Sequence, residues 1–213
     1  DRLNAACQAR SMGNEGPWNL NRVREVHAVA SGGECKELLV LMDREWEGEY
    51  KVVCREDGRT LVFSSAEIAE ARPALVASLY AKALFEPGKS LAKAGVFNAL
   101  CGRFNLVKFA RSTHLYTLPD VLADSEVEDA CKPLRDFGRV FRVLGIFPLD
   151  KKGLKEVAAR YPRCEVSARN IPLSSDELRS RLKVSAGGPE HVFGVRIEMP
   201  HASGNYLIVC TRF

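Results

Sequence analysis

The segment from residue 138 to the end constrains the fold most, because its hydrophobic period switches repeatedly between that of a strand and that of a helix. The runs 139–147 and 164–169 are typical of strands. Between them, Asp150 can cap a helix with one apolar face, formed by Leu154, Val157, Ala158 and Tyr161. The segment is therefore predicted to begin with a strand, a helix and a second strand.

A capping box predicts where the next helix begins. Ser174 and Glu177 have the spacing that this motif requires, and a helix should start at once after Ser174. Leu173 and Leu178 stand at the two positions of a hydrophobic staple. We therefore predict a helix over 175–183.

The final thirty residues predict a strand hairpin. Apolar residues alternate along the first strand, at Phe193, Val195, Ile197 and Met199. The stretch 200–205 is predicted to turn, and 206–211 to return as the partner strand. The order from residue 138 onwards is then β-α-β-α-β-β, which is a small α/β domain.

Strands are also predicted near the start of the chain. Residues 26–30 and 37–42 flank a Ser-Gly-Gly turn, and the second run is almost wholly apolar, so we expect a buried strand pair. A further pair is expected at 50–54 and 60–63, joined across a turn that contains Gly58.

The middle of the chain has a helical pattern. A helix is predicted from Ser64, another over 74–83 after Pro73, and a third over 90–104 that contains Gly95. A glycine inside a helix costs about 1 kcal/mol relative to alanine, which suggests close packing at Gly95. The acidic stretch 120–137 is interpreted as a connector, and residues 1–22 are expected to be irregular.

The positive charge is concentrated in one stretch. Residues 151–183 contain nine Lys or Arg and four Asp or Glu, whereas residues 1–150 contain 20 and 21. A basic surface of this kind can neutralise nucleic-acid phosphates, but it can also be an ordinary solvated helix surface, and charge alone favours the latter. Both interpretations stay open at this point.

Composition excludes several classes of protein. No apolar run approaches the roughly 20 residues that a membrane-spanning helix needs, and no signal-peptide core follows the N-terminus, so we expect a cytoplasmic protein. The seven cysteines are widely spread and form no CxxC motif, which fits a reducing compartment. No spacing typical of a metal site is present, and we predict no metal.

Four stretches resemble bacterial class I SAM-dependent methyltransferases whose catalytic domain is followed by a small ferredoxin-like domain and a THUMP-like domain. They are Arg24 to Leu41, Leu84 to Gly88 with Lys93 to Phe97, Ser112 to Thr117, and Arg169 to Leu173 with the Glu177-Leu178-Arg179 and Gly187-Gly188 that follow. Each motif is short, but they occur in the family's order and cover most of residues 24–213. Gly33 and Gly88 stand where the family pattern has Asn.

The resemblance implies an α/β (α+β) chain in three parts. Residues 1–72 would hold the closing strands of a Rossmann-like methyltransferase domain, with 1–22 irregular. Residues 73–120 would form the ferredoxin-like domain, 121–137 a linker, and 138–213 the β-α-β-α-β-β THUMP-like domain. In the parent protein the activity would be methyl transfer from S-adenosylmethionine (SAM), with the tail positioning an RNA substrate, tRNA or rRNA.

The methyltransferase body itself is not found in the sequence. There is no glycine-rich loop after a first strand and no acidic residue closing a second, and a SAM pocket needs such a loop for the backbone to approach the cofactor. The first residue is Asp1 and not Met, so we expect a piece of a longer protein that lacks its N-terminal half. We expect this chain alone to bind no cofactor and to be inactive, and we assign no catalytic residue.

The candidate RNA-binding residues follow from the basic stretch and from the resemblance, since THUMP modules are associated with RNA-modifying enzymes. Arg169 and Asn170 could present donors to a phosphate or a base edge, although an Asn at a strand end that satisfies loop backbone is the slightly favoured alternative. The full set is Lys151, Lys152, Lys155, Arg169, Asn170, Arg179, Arg181 and Lys183.

A second candidate site is an active-site rim at Glu34, Cys35 and Lys36, at the tip of the first strand pair. Cys35 has a lysine neighbour, but no histidine is placed to act as its base, so thiol catalysis is disfavoured. His27 and His114 lie in apolar stretches and are expected to be structural. Two other classes remain open for the chain: a non-catalytic RNA-binding module and a protein-interaction or structural domain.

Overall fold

The computed structural model describes residues 22–213, so the expectation for the N-terminal residues lies outside the described part except at Arg22. The described chain divides into two compact units. The first contains the residues up to Arg72 together with 87–102 and 136–138. The second contains 73–86, 103–135 and 139–213. The expected mixed α and β composition is confirmed.

The first unit is built on a four-stranded sheet. Its strands are β1 (Val23–Ser31), β2 (Glu34–Met42), β3 (Lys51–Glu56) and β4 (Arg59–Ser64), in the spatial order β2-β1-β3-β4. β1 is antiparallel to β2 and parallel to β3, and β3 is antiparallel to β4. Both predicted strand pairs are therefore confirmed. Helix α1 (Ser65–Glu70) follows, with the Ser64 hydroxyl accepting a bond from the Glu67 amide.

β2 differs from the prediction in its burial. The pairing with β1 is as expected, but β2 forms an edge of the sheet, and five consecutive apolar side chains, Leu38 to Met42, are 41–53% exposed. An edge strand has no neighbour on one side, so an apolar run there stays open to solvent. The prediction of a buried strand pair was correct only for β1, where Val26, Ala28 and Ala30 are buried.

The helices of the middle region are shorter than predicted. Instead of one helix over 90–104 there are two, α2 (Lys89–Ala94) and α3 (Ala99–Phe104). Gly95 ends α2 in the left-handed region at φ 71°, and a Cβ there would meet nothing within 4 Å. The glycine thus terminates the helix, as is common at this position, and close packing was the wrong explanation. No helix forms over 74–83.

The stretch interpreted as a connector contains a helix. A 3-10 turn (Asp124–Glu126) leads into α4 (Val127–Arg135), which buries Val127, Cys131 and Leu134. These three apolar residues recur at helical spacing between acidic residues. Pro133 lies inside the helix, and a proline there argues against a helix when only the sequence is considered. The apolar stripe has to be buried, and for that reason the segment is structured.

The second unit contains a seven-stranded sheet. Its strands are β5 (Ala83–Pro87), β6 (Val107–Ala110), β7 (Thr113–Thr117), β8 (Gly138–Pro148), β9 (Glu165–Arg169), β10 (Glu190–Met199) and β11 (Ala202–Arg212). The spatial order is β6-β7-β5-β8-β11-β10-β9, with β9 parallel to β10 and β11 antiparallel to both β8 and β10. The β10–β11 turn is shorter than predicted, since only Pro200 and His201 lie between the strands.

Two helices of the second unit confirm the predicted tail. They are α5 (Lys151–Arg160) and α6 (Ser175–Leu182), and both capping predictions are correct in atomic detail. Asp150 accepts bonds from the amides of Lys152 and Gly153, and Ser174 and Glu177 form the reciprocal capping box. The β-α-β-α-β-β order from residue 138 is therefore confirmed.

Two apolar clusters hold the second unit together. Val157 of α5 and Leu178 and Leu182 of α6 pack with Val192 and Leu207 of the sheet. The other cluster contains, among others, Phe141, Phe193, Ile208, Phe109 and Leu115. Because strand residues alternate between faces, each strand of the hairpin contributes to both clusters, which fixes its register.

Candidate nucleic-acid interface

Helix α5 presents three of the predicted RNA-binding residues to solvent. The Asp150 cap fixes the start of the helix, and burial of Val157 fixes its rotation about its own axis. Lys151, Lys152 and Lys155 are then exposed. The lysine stems can lie along the helix surface while the ammonium groups remain in water.

Helix α6 presents the second group. Leu178 and Leu182 are buried against the sheet, so Arg181 and Lys183 are exposed. Lys183 follows the last turn in the left-handed conformation, at φ 58°. Because α5 and α6 pack against the same apolar cluster, their charged residues belong to one surface of the second unit. We call the exposed residues Lys151, Lys152, Lys155, Arg181 and Lys183 the basic helix surface.

Two carboxylates near this surface have other partners. Glu156 pairs with Arg160 at 2.9 Å, within α5. Glu165 pairs with Arg179 at 3.4 Å and accepts a bond from the Gly187 amide, and this amide first and the guanidinium second lower the pKa of Glu165. Within residues 22–213, no member of the basic helix surface forms an ion pair. Arg179, in contrast, is tied to Glu165 and is only partly exposed.

Arg169 and Asn170 lie apart from that surface and have partners. The Arg169 guanidinium donates two bonds to one oxygen of Glu86, at 2.7 and 3.2 Å, and Arg139 pairs with the other oxygen. The Asn170 amide donates to the Thr113 hydroxyl at 3.1 Å, with the backbone in the left-handed region at φ 57°. Asn tolerates this conformation better than most residues.

Glu86 and Arg139 were missed by the sequence analysis. Glu86 lies in β5 and Arg139 in β8, 53 residues apart, and no local spacing connects them. One carboxylate serves two guanidiniums, so the cluster of Glu86, Arg139 and Arg169 keeps one net positive charge. That charge is held in fixed geometry by charge-assisted hydrogen bonds.

The predicted rim lies in the first unit, at the β1–β2 turn. Gly32 and Gly33 have φ of 61° and 76°, which two-residue hairpin turns require. The Lys36 ammonium lies 2.7 Å from a Glu34 oxygen, and the Cys35 sulfur is 3.8 Å from the Glu37 carbonyl oxygen. Within residues 22–213 no histidine is bonded to Cys35, so the described structure places no histidine base beside this thiol.

The remaining titratable residues have structural surroundings. His191 stacks on Phe193 with centroids 4.0 Å apart and bonds to the Ser167 hydroxyl at 2.9 Å; burial and the nearby Arg139 lower its pKa to about 4. Burial raises the pKa of Cys54 to about 12 and that of Cys164 to about 11. These groups stay neutral at physiological pH.

Residues 22–213 contain no cluster of three or more His, Cys, Asp or Glu side chains that could hold a metal ion. In the same range, no helix is long and apolar enough to cross a membrane.

Comparisons with known proteins agree with the fold. Residues 84–124 match the family model of a ferredoxin-like domain, and residues 138–212 match that of a THUMP domain-like family. The chain therefore carries a ferredoxin-like domain followed by a THUMP domain-like domain. Strands β5 to β7 from the first match and β8 to β11 from the second form the single seven-stranded sheet.

A solved structure is similar to most of this chain. It is the crystal structure of a protein described as a "putative methyltransferase" from Porphyromonas gingivalis W83, with a TM-score of 0.74 and 27% sequence identity. The match covers 90% of this chain and 46% of that one, so this chain spans less than half the length of that protein. No curated protein matches the chain. The two domains and this match are consistent with the C-terminal part of a methyltransferase, as the sequence resemblance implied.

Proposed function

We propose that this chain is the substrate-positioning part of a SAM-dependent methyltransferase that acts on RNA in the bacterial cytoplasm. The observation that carries the proposal is the basic helix surface of the THUMP domain-like domain, where five exposed cations form no ion pair within the described residues. The tail would bind the RNA backbone and hold the target nucleotide near a methyltransferase domain.

Phosphate binding follows from the charge arrangement. A cation that already pairs with a carboxylate gains little from a phosphate, whereas an unpaired and exposed one releases counterions when it neutralises a phosphate. Lys151, Lys152 and Lys155 span about one helical turn, which gives a compact contact with a nucleic-acid backbone. Phosphate contacts carry no sequence information, so the surface would position RNA without reading its bases.

The proposed link to a methyltransferase domain rests on strand β2. A strand that is apolar on both faces is typical of the interior of an α/β sheet, and natural edge strands are normally protected by charges. Leu38 to Met42 are exposed on both faces of β2 and leave one row of backbone groups unpaired. We propose that a strand of the methyltransferase sheet pairs with this edge and buries the run. SAM would bind in that domain and not in the residues of this chain.

The RNA proposal is tested by the salt dependence of binding. Affinities for a tRNA transcript and an rRNA hairpin are measured between 50 and roughly 200 mM salt for the wild type and for Lys152→Gln/Lys155→Gln/Arg181→Gln. We expect the slope of log K against log salt to fall by about one for each residue that contacts a phosphate. The matched control removes three exposed charges from the first unit, in Arg44→Gln/Lys51→Gln/Lys93→Gln.

The outcomes separate the classes of function. A fall in slope for the α5–α6 variant with none for the control supports the proposal. Equal slopes for both variants, or no RNA binding by the wild type at low salt, overturn it and leave a protein-interaction or structural domain. Charge-dependent RNA binding combined with failure of the chimera test below would favour the stand-alone RNA-binding module.

The methyltransferase proposal is tested with a chimera. The part of the P. gingivalis protein outside the match is joined to this chain, and SAM binding is measured by calorimetry together with hydrogen exchange of the β2 amides. We expect no SAM binding by the chain alone, and SAM binding with slowed β2 exchange in the chimera. Leu39→Lys/Leu41→Lys should abolish the slowed exchange. Micromolar SAM binding by the chain alone, or unchanged β2 exchange in the chimera, would refute the proposal.

A further inference from the structure

A cavity of about 490 Å³ opens in the second unit, away from the residues discussed so far. Its walls are the segment 79–82, the beginning of α4, residues 142–146 of β8 and the ring of Phe213. A volume of this size lies in the range of small-molecule and cofactor sites. None of the predicted RNA-binding residues lines it.

The apolar wall of this cavity is unusually exposed. Leu79 is 41%, Tyr80 50% and Leu144 44% exposed. Leu144 is the extra residue of a β-bulge, since Gly145 pairs with Val209 while Val143 pairs with Cys210. Bulges commonly re-aim a side chain next to a binding site, and here the bulge adds a leucine to a wall that already contains a half-exposed tyrosine. We call Leu79, Tyr80 and Leu144 the apolar wall.

The charged side chains that line the cavity are two cations, Lys82 and Arg142, and two carboxylates, Asp124 and Glu128. Lys82 is neutralised by Asp124 at 2.6 Å, an interaction that raises the pKa of Lys82, and Arg135 pairs with Glu128 at 2.7 Å. Arg142 forms no ion pair within residues 22–213, and its guanidinium lies 5.0 Å from the centroid of the Phe213 ring. The cavity thus combines an aromatic and aliphatic surface with one guanidinium that has no ion pair within the described residues.

A nucleotide has the complementary chemistry. Its base is a flat apolar face that stacks on aromatic side chains, and its phosphate accepts bonds from a guanidinium. We propose that this cavity binds one unstacked nucleotide of a single-stranded RNA, with the base on Tyr80 and the apolar wall and the phosphate at Arg142. The inference rests on the proposed RNA function and adds to it a site that distinguishes single strands from duplexes. In a duplex the bases are stacked and paired, so none can enter the cavity.

The test measures the binding of three RNA probes to two variants of one residue. Fluorescence anisotropy at low salt measures binding of a fluorescein-labelled eight-nucleotide oligouridylate, the matching oligoadenylate and a 16-base-pair duplex. Tyr80→Ala should weaken single-strand binding by about 5- to 150-fold, the range that loss of one base stack gives, and leave duplex binding unchanged. Tyr80→Phe keeps the ring and should bind within about twofold of the wild type. Val121→Ala, at a side chain that is 94% exposed, is the surface control.

A second measurement addresses the phosphate. Arg142→Gln should weaken single-strand binding and lower its salt slope by about 0.7, the value for one phosphate contact in a single strand. Free AMP and UMP, added as competitors, show whether a mononucleotide is sufficient. Displacement of the oligonucleotide by millimolar AMP or UMP supports the nucleotide site, and lack of displacement together with wild-type binding by Arg142→Gln overturns it.

The possible failures are distinguishable. If tRNA binding responds to the basic helix surface but Tyr80→Ala binds the oligonucleotides as the wild type does, the cavity proposal alone is wrong and a protein segment becomes its occupant. If the wild type binds no RNA of any kind, both proposals are wrong. Equal loss of single-strand and duplex binding in Tyr80→Ala would also overturn the cavity proposal, because a base-stacking site cannot weaken duplex binding.

Discussion

Replacing Gly153 by alanine sets two opposing effects against each other in helix α5. In an unobstructed helix, alanine is about 1 kcal/mol more favourable than glycine. At Gly153, however, an added Cβ would lie 2.0 Å from the carbonyl oxygen of Pro148. A backbone oxygen cannot rotate away as a side chain can, so either α5 or the end of β8 has to move by more than 1 Å.

The clash with the Pro148 carbonyl oxygen should outweigh the gain in helix propensity. Overpacking in well-ordered regions costs about 1–3 kcal/mol, and contact with a backbone atom belongs at the upper end of that range. We therefore expect Gly153→Ala to lower the free energy of unfolding by about 1–2 kcal/mol after the gain in helix propensity is subtracted. The displaced helix carries Lys151, Lys152 and Lys155, so RNA binding should weaken as well.

The matched control is Gly102 in helix α3. A Cβ at Gly102 would meet nothing within 4 Å, so Gly102→Ala gains helix propensity without a clash. Urea unfolding followed by circular dichroism should show this variant to be more stable by up to about 1 kcal/mol. Increased stability of Gly153→Ala, or equal effects of the two substitutions, would show that the close approach of α5 to Pro148 is not a feature of the folded protein.

Two further predictions concern stability. His191 has its pKa lowered to about 4, first by burial, so the unfolded chain takes up a proton at higher pH than the folded one. Stability should therefore fall as the pH decreases from about 6.5 to about 4, by about 1–2 kcal/mol after allowance for its partial exposure, and His191→Gln should flatten this part of a pH series of unfolding curves. Ser174→Ala removes the acceptor of the α6 capping box and should cost about 1 kcal/mol, whereas Ser174→Asn should cost only a few tenths. A Ser174→Ala protein as stable as the wild type in urea would contradict the capping argument.

The sequence predicted the tail well because its information is local. The Asp150 cap and the Ser174–Glu177 capping box involve residues within three positions of each other, and the alternation along β10 is visible in the residues themselves. Helix α6 was predicted over 175–183 and is observed over Ser175–Leu182. Where caps, periodicity and turns agree, a fold can be predicted from sequence patterns.

The sequence patterns were insufficient where tertiary contacts decide the structure. Apolar side chains in β2 predicted burial, but its place at the sheet edge is set by β1 and β3, and no local pattern reports it. Gly95 fits either a closely packed helix or a helix end, and only the backbone conformation distinguishes them. The partners of Arg169 and Asn170 lie 83 and 57 residues away in the chain. Such pairs cannot be recognised from spacing in a single sequence.

The contacts of Arg169 favour a structural role for this predicted RNA-binding residue. Its two bonds to Glu86 join β9 to β5, and the bond from Asn170, the residue after β9, to Thr113 adds a link to β7. Residues 84–124 and 138–212, which match different family models, are thereby linked by polar contacts inside one sheet. We interpret Arg169 as a structural link, and the RNA binding that we propose is then left to the basic helix surface.

This interpretation makes the substitution Arg169→Gln informative. The Glu86 side chain is only 12% exposed and would keep Arg139 as its single ionic partner, so the free energy of unfolding should fall by about 1–2 kcal/mol. The salt slope of RNA binding should change by less than about 0.3, against about one for Lys152→Gln. Unfolding curves and RNA titrations of the two variants measure both quantities. If Arg169→Gln lowers the salt slope as much as Lys152→Gln does and leaves stability unchanged, Arg169 binds RNA directly, and the interface extends from the helices to the end of β9.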